Sequence, residues 1–107
     1  MSNIDNIINE IKKVYFITDS YAVSSFLINN PIDIDYYNLG EFGCKISRKL
    51  NMDNWYIGTY DNYIVIEIND KYIIVYFEHN ILKNTIEIVT RRCNNNKEYI
   101  ELKLAIS

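Results

Sequence analysis

The sequence predicts an α+β fold in which two to three N-terminal helices pack on one face of a four- to five-stranded antiparallel β-meander. Three observations predict it. Apolar residues recur at helical spacing only in the first half of the chain, they alternate with period two from Trp55 onward, and the alternating runs are joined by short connections rich in Asn and Asp. Short sequential connections make antiparallel neighbours. A sheet with an apolar face needs a cover, and the N-terminal helices are the candidates for it. The 107 residues correspond to one domain, helical over about 1–52 and a β-meander over about 55–107.

The first helix rests on Ile4, Ile7, Ile8, Ile11 and Tyr15. Ser2 or Asn3 can cap it, Asp5 suits the positive end of its dipole, and Lys12 and Lys13 suit the negative end. A second helix is expected after the capping cluster Thr18-Asp19-Ser20, carrying Tyr21, Ala22, Val23, Phe26 and Leu27 and stopped by Asn29-Asn30-Pro31. The alternating stretch Ile32-Asp33-Ile34-Asp35 reads as a short edge strand or an extended connector. A third helix spans about Tyr37 to Leu50, with Leu39, Phe42, Gly43, Ile46 and Leu50 on one face, although Gly40 and Gly43 weaken it.

The expected strands run from Trp55 to Tyr60, Tyr63 to Asn69, Lys71 to Glu78, Asn84 to Arg91 and Lys97 to Ile106. Asp61-Asn62, Asn69-Asp70, the stretch from His79 to Asn84, and Asn94-Asn95-Asn96 separate them as turns. Ile64, Ile66, Ile73, Val75 and Phe77 then face the helices. Tyr63, Val65, Tyr72, Ile74, Tyr76, Val89 and Tyr99 face away, among Glu67, Glu78, Glu87, Arg91, Glu101 and Lys103.

Composition excludes several classes of function. With 49% hydrophobic and 23% charged residues the chain is neither disordered nor of low complexity. Ile, Asn, Lys and Tyr dominate, which points to an AT-rich genome and tempers any functional reading of the 10 tyrosines. The net charge of −3 and the lack of a basic stripe argue against direct nucleic-acid binding. No apolar run is long enough to span a membrane, and the start Met1-Ser2-Asn3-Ile4-Asp5 lacks signal-peptide character. Cys44 and Cys93 are expected to be separate, reduced thiols, and the protein to be cytoplasmic, in the host cytoplasm if it is viral.

Catalytic patterns are thin. His79 is the single histidine, and a nucleophile–His–acid site could only be drawn from Cys44 or Cys93 with Glu78. A loop histidine in water is the simpler reading. Asp33 with Asp35, or Glu67 with Glu87, could pair as carboxylates, though such pairs are common on surfaces. Leu39-Gly40-Glu41-Phe42-Gly43 only faintly resembles a phosphate loop, lacking a leading strand and a following Lys-Ser or Lys-Thr. No metal-ligand spacing is present, and neither a cofactor nor a metal is expected.

The tyrosine-lined second face carries the functional expectation, because tyrosine buries area with few rotors and keeps a polar tip. The expected partner-binding residues are Tyr63, Tyr72, Ile74, Tyr76, Glu78 and Tyr99, with Asp33 and Asp35 in the acidic connector. The reading is a small non-enzymatic protein-binding inhibitor of the viral anti-defence (anti-CRISPR-like) or bacterial immunity class. It would block a protein target, such as a basic nuclease or a defence complex, by surface occlusion. The alternatives are a homo-oligomeric (for example homodimeric) structural or regulatory subunit, and a small-ligand (nucleotide) binding protein or enzyme.

Overall fold

The computed structural model describes residues 3–16, 22–29, 39–51, 55–60 and 63–106. In chain order the elements are α1 (Asn3–Phe16), β1 (Ala22–Asn29), α2 (Leu39–Lys49), β2 (Trp55–Thr59), β3 (Tyr63–Ile68), β4 (Lys71–Asn80), β5 (Thr85–Cys93) and α3 (Asn96–Ile106). The five strands form one antiparallel sheet of order β1-β5-β4-β3-β2. The fold is α+β, with β2 to β5 as a meander and β1 added beside β5.

The isoleucine stripe of α1 lies on the sheet as expected. Ile4, Ile7, Ile8, Ile11 and Val14 are buried in one cluster with Ile64, Ile66, Ile68, Ile73, Val75, Ile86 and Ile88. Ile46 and Leu50 of the α2 segment join the same cluster, so α1 and α2 share this face. The helix α2 tolerates Gly43 because a Cβ there would sit 2.6 Å from the Thr59 Oγ1. The close approach of helix and strand sets that glycine, against its poor helix propensity. On the exposed side Lys49 Nζ donates to Asp5 Oδ1 at 3.3 Å and links the two helices.

The turn between β3 and β4 is a two-residue connection in which Asn69 and Asp70 both take positive φ, 48° and 69°. That backbone matches the twist of the strands it joins, and Asn and Asp tolerate it best among side-chain-bearing residues.

Two elements differ from the sequence expectation. Strand β1 takes the place of the expected second helix from Ala22 to Leu27 and runs on to Asn29, paired with β5 from Ala22↔Arg92 to Asn29↔Thr85. Ser24, Phe26 and Ile28 turn toward α1 while Val23, Ser25 and Leu27 are exposed, an alternation of period two. Val, Phe and Ile suit a half-covered strand, and β5 offered an open edge to receive it. The expected cap at 18–20 and the acidic stretch at 32–35 lie outside the described residues. The last expected strand, Lys97 to Ile106, is helix α3. Its alternating Ile100, Leu102, Leu104 and Ile106 mask a helical set, Tyr99, Leu102 and Ile106, which packs on the sheet. Asn95 Oδ1 accepts the Glu98 N–H at 2.9 Å and Glu98 Oε2 accepts the Asn94 N–H at 2.9 Å, closing the first turn much as a capping box does.

Arg92 is 5% exposed and joins the far ends of the fold. Its Nη1 donates to the carbonyls of Val14 at 2.9 Å and Tyr15 at 3.3 Å, at the C-terminus of α1, and its Nε donates to Asn94 Oδ1 at 3.0 Å. A cation at a helix C-terminus is favoured by the dipole, and these hydrogen bonds offset the cost of burying it. Arg92→Met, which keeps the bulk and removes the donors, is expected to lower stability by about 2–4 kcal/mol. Urea unfolding would show this as a fall in midpoint, with Arg92→Lys recovering part of it.

Candidate functional site

The strand residues expected on the second face do point away from α1 and α2, but α3 covers much of that face. Tyr63 (3% exposed), Ile74 (0%) and Tyr76 (9%) are buried with Val65, Val89, Cys93 and Leu102 in a second cluster. Tyr72 is half-buried, with Tyr99 of α3 stacked on it at a centroid distance of 4.9 Å and an interplanar angle of 7°. Tyr63 stacks on Tyr60 at 4.7 Å, and Lys103 Nζ lies 5.9 Å from the rings of both Tyr60 and Tyr99. Tyr63, Tyr72 and Tyr76 therefore serve as the floor of α3 in this structure rather than as an open surface. Asp33 and Asp35 lie outside the described residues.

Glu78 is different. It is exposed, beyond the end of α3, and sits directly opposite Glu87 on β5. Glu87 in turn sits opposite Leu27 on β1. Like-charged side chains face to face across a strand pair destabilise a sheet, so this row is not explained by folding.

Adjoining the row is the β4–β5 hairpin tip, Ile81-Leu82-Lys83-Asn84. Its geometry is fixed: Asn80 Oδ1 accepts the Lys83 N–H at 3.1 Å, Asn84 N–H donates to Ile81 O at 3.3 Å, and Asn84 takes a left-handed φ of 48°. On this held loop Ile81 is 80% exposed and Leu82 is 99% exposed. Both side chains border an open concavity with Leu27, Asn29, Glu78 and Glu87. An aliphatic pair in a turn otherwise made of Asn and Lys is a signal readable in the sequence. The turn composition from His79 to Asn84 marks the loop, and Ile81 and Leu82 inside it are the part that turn signals alone do not flag.

Two of the pairings drawn from the sequence, Cys93 with His79 and Glu67 with Glu87, are not brought together by the sheet. Cys93 is opposite Tyr72 and His79 is opposite Ile86, which puts that thiol and imidazole at opposite ends of β4, roughly 23 Å apart. Glu67 is opposite Tyr72, while Glu87 lies toward the hairpin tip, so those carboxylates are separated by a similar span. Both cysteines are free, Cys44 of α2 exposed and Cys93 of β5 buried. Among the described residues no three His, Cys, Asp or Glu side chains are grouped to hold a metal ion, and no helix is long and apolar enough to cross a membrane. Compared with protein-family models, curated proteins and solved structures, the chain matches none.

Two outcomes follow from these environments. Burial, reinforced by the neighbouring Tyr63 hydroxyl, pushes the Tyr99 hydroxyl up to about 12 from its ordinary 10.0, and burial likewise pushes the Cys93 thiol from 9.0 to about 11. In both cases the unfolded chain releases its proton first. The neutral forms support the fold below the ordinary values, and stability falls as pH rises from 9 through 12. Urea midpoints across that range should decline, and Tyr99→Phe should flatten the decline above pH 10. At the other end of the face, Glu78→Gln is expected to raise stability by about 0.5 kcal/mol by relieving the opposed carboxylates. Thermal or urea unfolding at neutral pH measures it.

Proposed function

We propose that this protein is a non-enzymatic protein-binding module that uses the β4–β5 hairpin tip and the adjoining acidic row to cover a working surface of its target. The observation that carries the reading is Ile81-Leu82, two large aliphatic side chains held in solvent on a hydrogen-bonded loop. Burying each would contribute about 1.5–3 kcal/mol, and the fixed loop reduces the ordering cost of binding. The opposed Glu78 and Glu87 suit a target with basic groups around an apolar pocket. The small size and net charge of −3 fit the same picture. The class is that of small inhibitors such as viral anti-defence or bacterial immunity proteins, with a basic nuclease or a defence complex as the kind of target.

The test uses the full chain as bait in host lysate, followed by binding measurements on the purified partner and an assay of the partner's own activity. Ile81→Ser/Leu82→Ser is expected to weaken binding by about 100-fold or more while shifting the unfolding free energy by no more than about 0.5 kcal/mol. Binding should weaken with salt, and the wild-type chain should lower the partner's activity. Equal affinity of wild type and double variant would remove the tip from the interface. Full partner activity at saturating wild-type chain would exclude inhibition.

A further inference from the structure

A different observation concerns the sheet's β1 edge, which shares Leu27 and Glu87 with the concavity beside the hairpin tip. We infer that β1 is a self-association edge that pairs antiparallel with β1 of a second copy of this chain, about a two-fold axis at Ser25. Among the described residues β1 is paired on one side only, with β5. In an antiparallel ladder every second residue then directs its N–H and C=O outward, where another strand can satisfy them.

The devices that usually blunt such an edge are missing from β1. Its eight residues, Ala-Val-Ser-Ser-Phe-Leu-Ile-Asn, include no charge and no proline. Its register with β5 runs without a bulge from Ala22↔Arg92 to Asn29↔Thr85. The opposite edge, β2, is only five residues long and contains Gly58. β1 is therefore the longer and more receptive of the two edges.

The side chains favour one occupant and one register. Val23 and Leu27, on the side of the sheet that carries α3, are 40% and 56% exposed and flank Ser25 symmetrically. With the axis at Ser25, each Leu27 faces Val23 of the second copy, which makes a pair of apolar cross-strand contacts. On the α1 side, half-buried Phe26 would face Ser24. Behind Leu27 stands Glu87 and behind Val23 stands Arg91. The row across the boundary therefore reads Glu87, Leu27, Val23, Arg91, an apolar pair between opposite charges. Moving the axis to Leu27 would make the row Glu87, Leu27, Leu27, Glu87, with like charges flanking a single apolar pair. Charge and apolar pairing thus select the same alignment, and a second copy supplies both.

The experiment measures mass by light scattering over a concentration series and crosslinks Ser25→Cys in a Cys44→Ser background under a mild oxidant. Expected is a concentration-dependent rise from 12.7 kDa toward twice that mass, with an efficient disulfide between the introduced cysteines. Val23→Lys/Leu27→Lys should restore the single-chain mass and abolish the crosslink, while Ile81→Ser/Leu82→Ser should still dimerise. A single-chain mass at all concentrations overturns the inference. So does a dimer that survives the lysine pair or fails to crosslink at position 25. Should the lysine pair unfold, the Ser25→Cys crosslink decides alone.

Discussion

Strands β3, β4 and β5 carry apolar side chains on both faces, and a sheet of that kind has to be covered twice. Much of the rest of the structure answers that constraint. One face takes α1 and α2, whose isoleucines interlock with those of the strands. The other takes α3, a single helix that buries Leu102 and stacks Tyr99 on Tyr72. The second cover is the smaller, and it stops short of the hairpin end of the sheet. There the strand side chains become Glu78, Glu87 and Leu27, suited to water or to a partner rather than to a helix. The candidate surface thus begins where the need for a cover ends.

How much of this was legible follows from which signals compete. The helices α1 and α2 and the meander β2–β5 have one strong period each, and the sequence reading located them. Even the division of strand residues between faces was readable, since Ile64, Ile66, Ile73 and Val75 do lie toward α1. The misreadings fall where two periods coexist. Ala22 and Phe26 are four apart and suggest a helix, while Phe26 and Ile28 alternate as a strand. Only the open edge of β5, a tertiary fact, decides between them. In α3 the alternating aliphatics outweighed Asn95 and Glu98, which three residues apart form the capping signature of a helix start. That one error also moved the candidate site, because a strand at 97–106 would have left the tyrosine face open.

Arg92 shows what a buried charge contributes beside an isoleucine-rich core. It occupies the inner face of β5 and satisfies carbonyls that α1 cannot satisfy within itself. Directional hydrogen bonds at one end give the helix a fixed position, a role that similar-sized apolar contacts would perform poorly.

The placement of β1 has a consequence for how the chain comes into being. Ala22 pairs with Arg92, about 70 residues later, so the ladder between β1 and β5 closes the longest loop in the sheet. On a ribosome, β1 emerges early and cannot meet its partner strand until the last strand has cleared the exit tunnel. Until then this strand without charged side chains waits with both edges unpaired, while the hairpins of β2 to β5 can zip locally as they appear. The strand that ends at the margin of the finished sheet is thus the one that the nascent chain must hold longest without a mate.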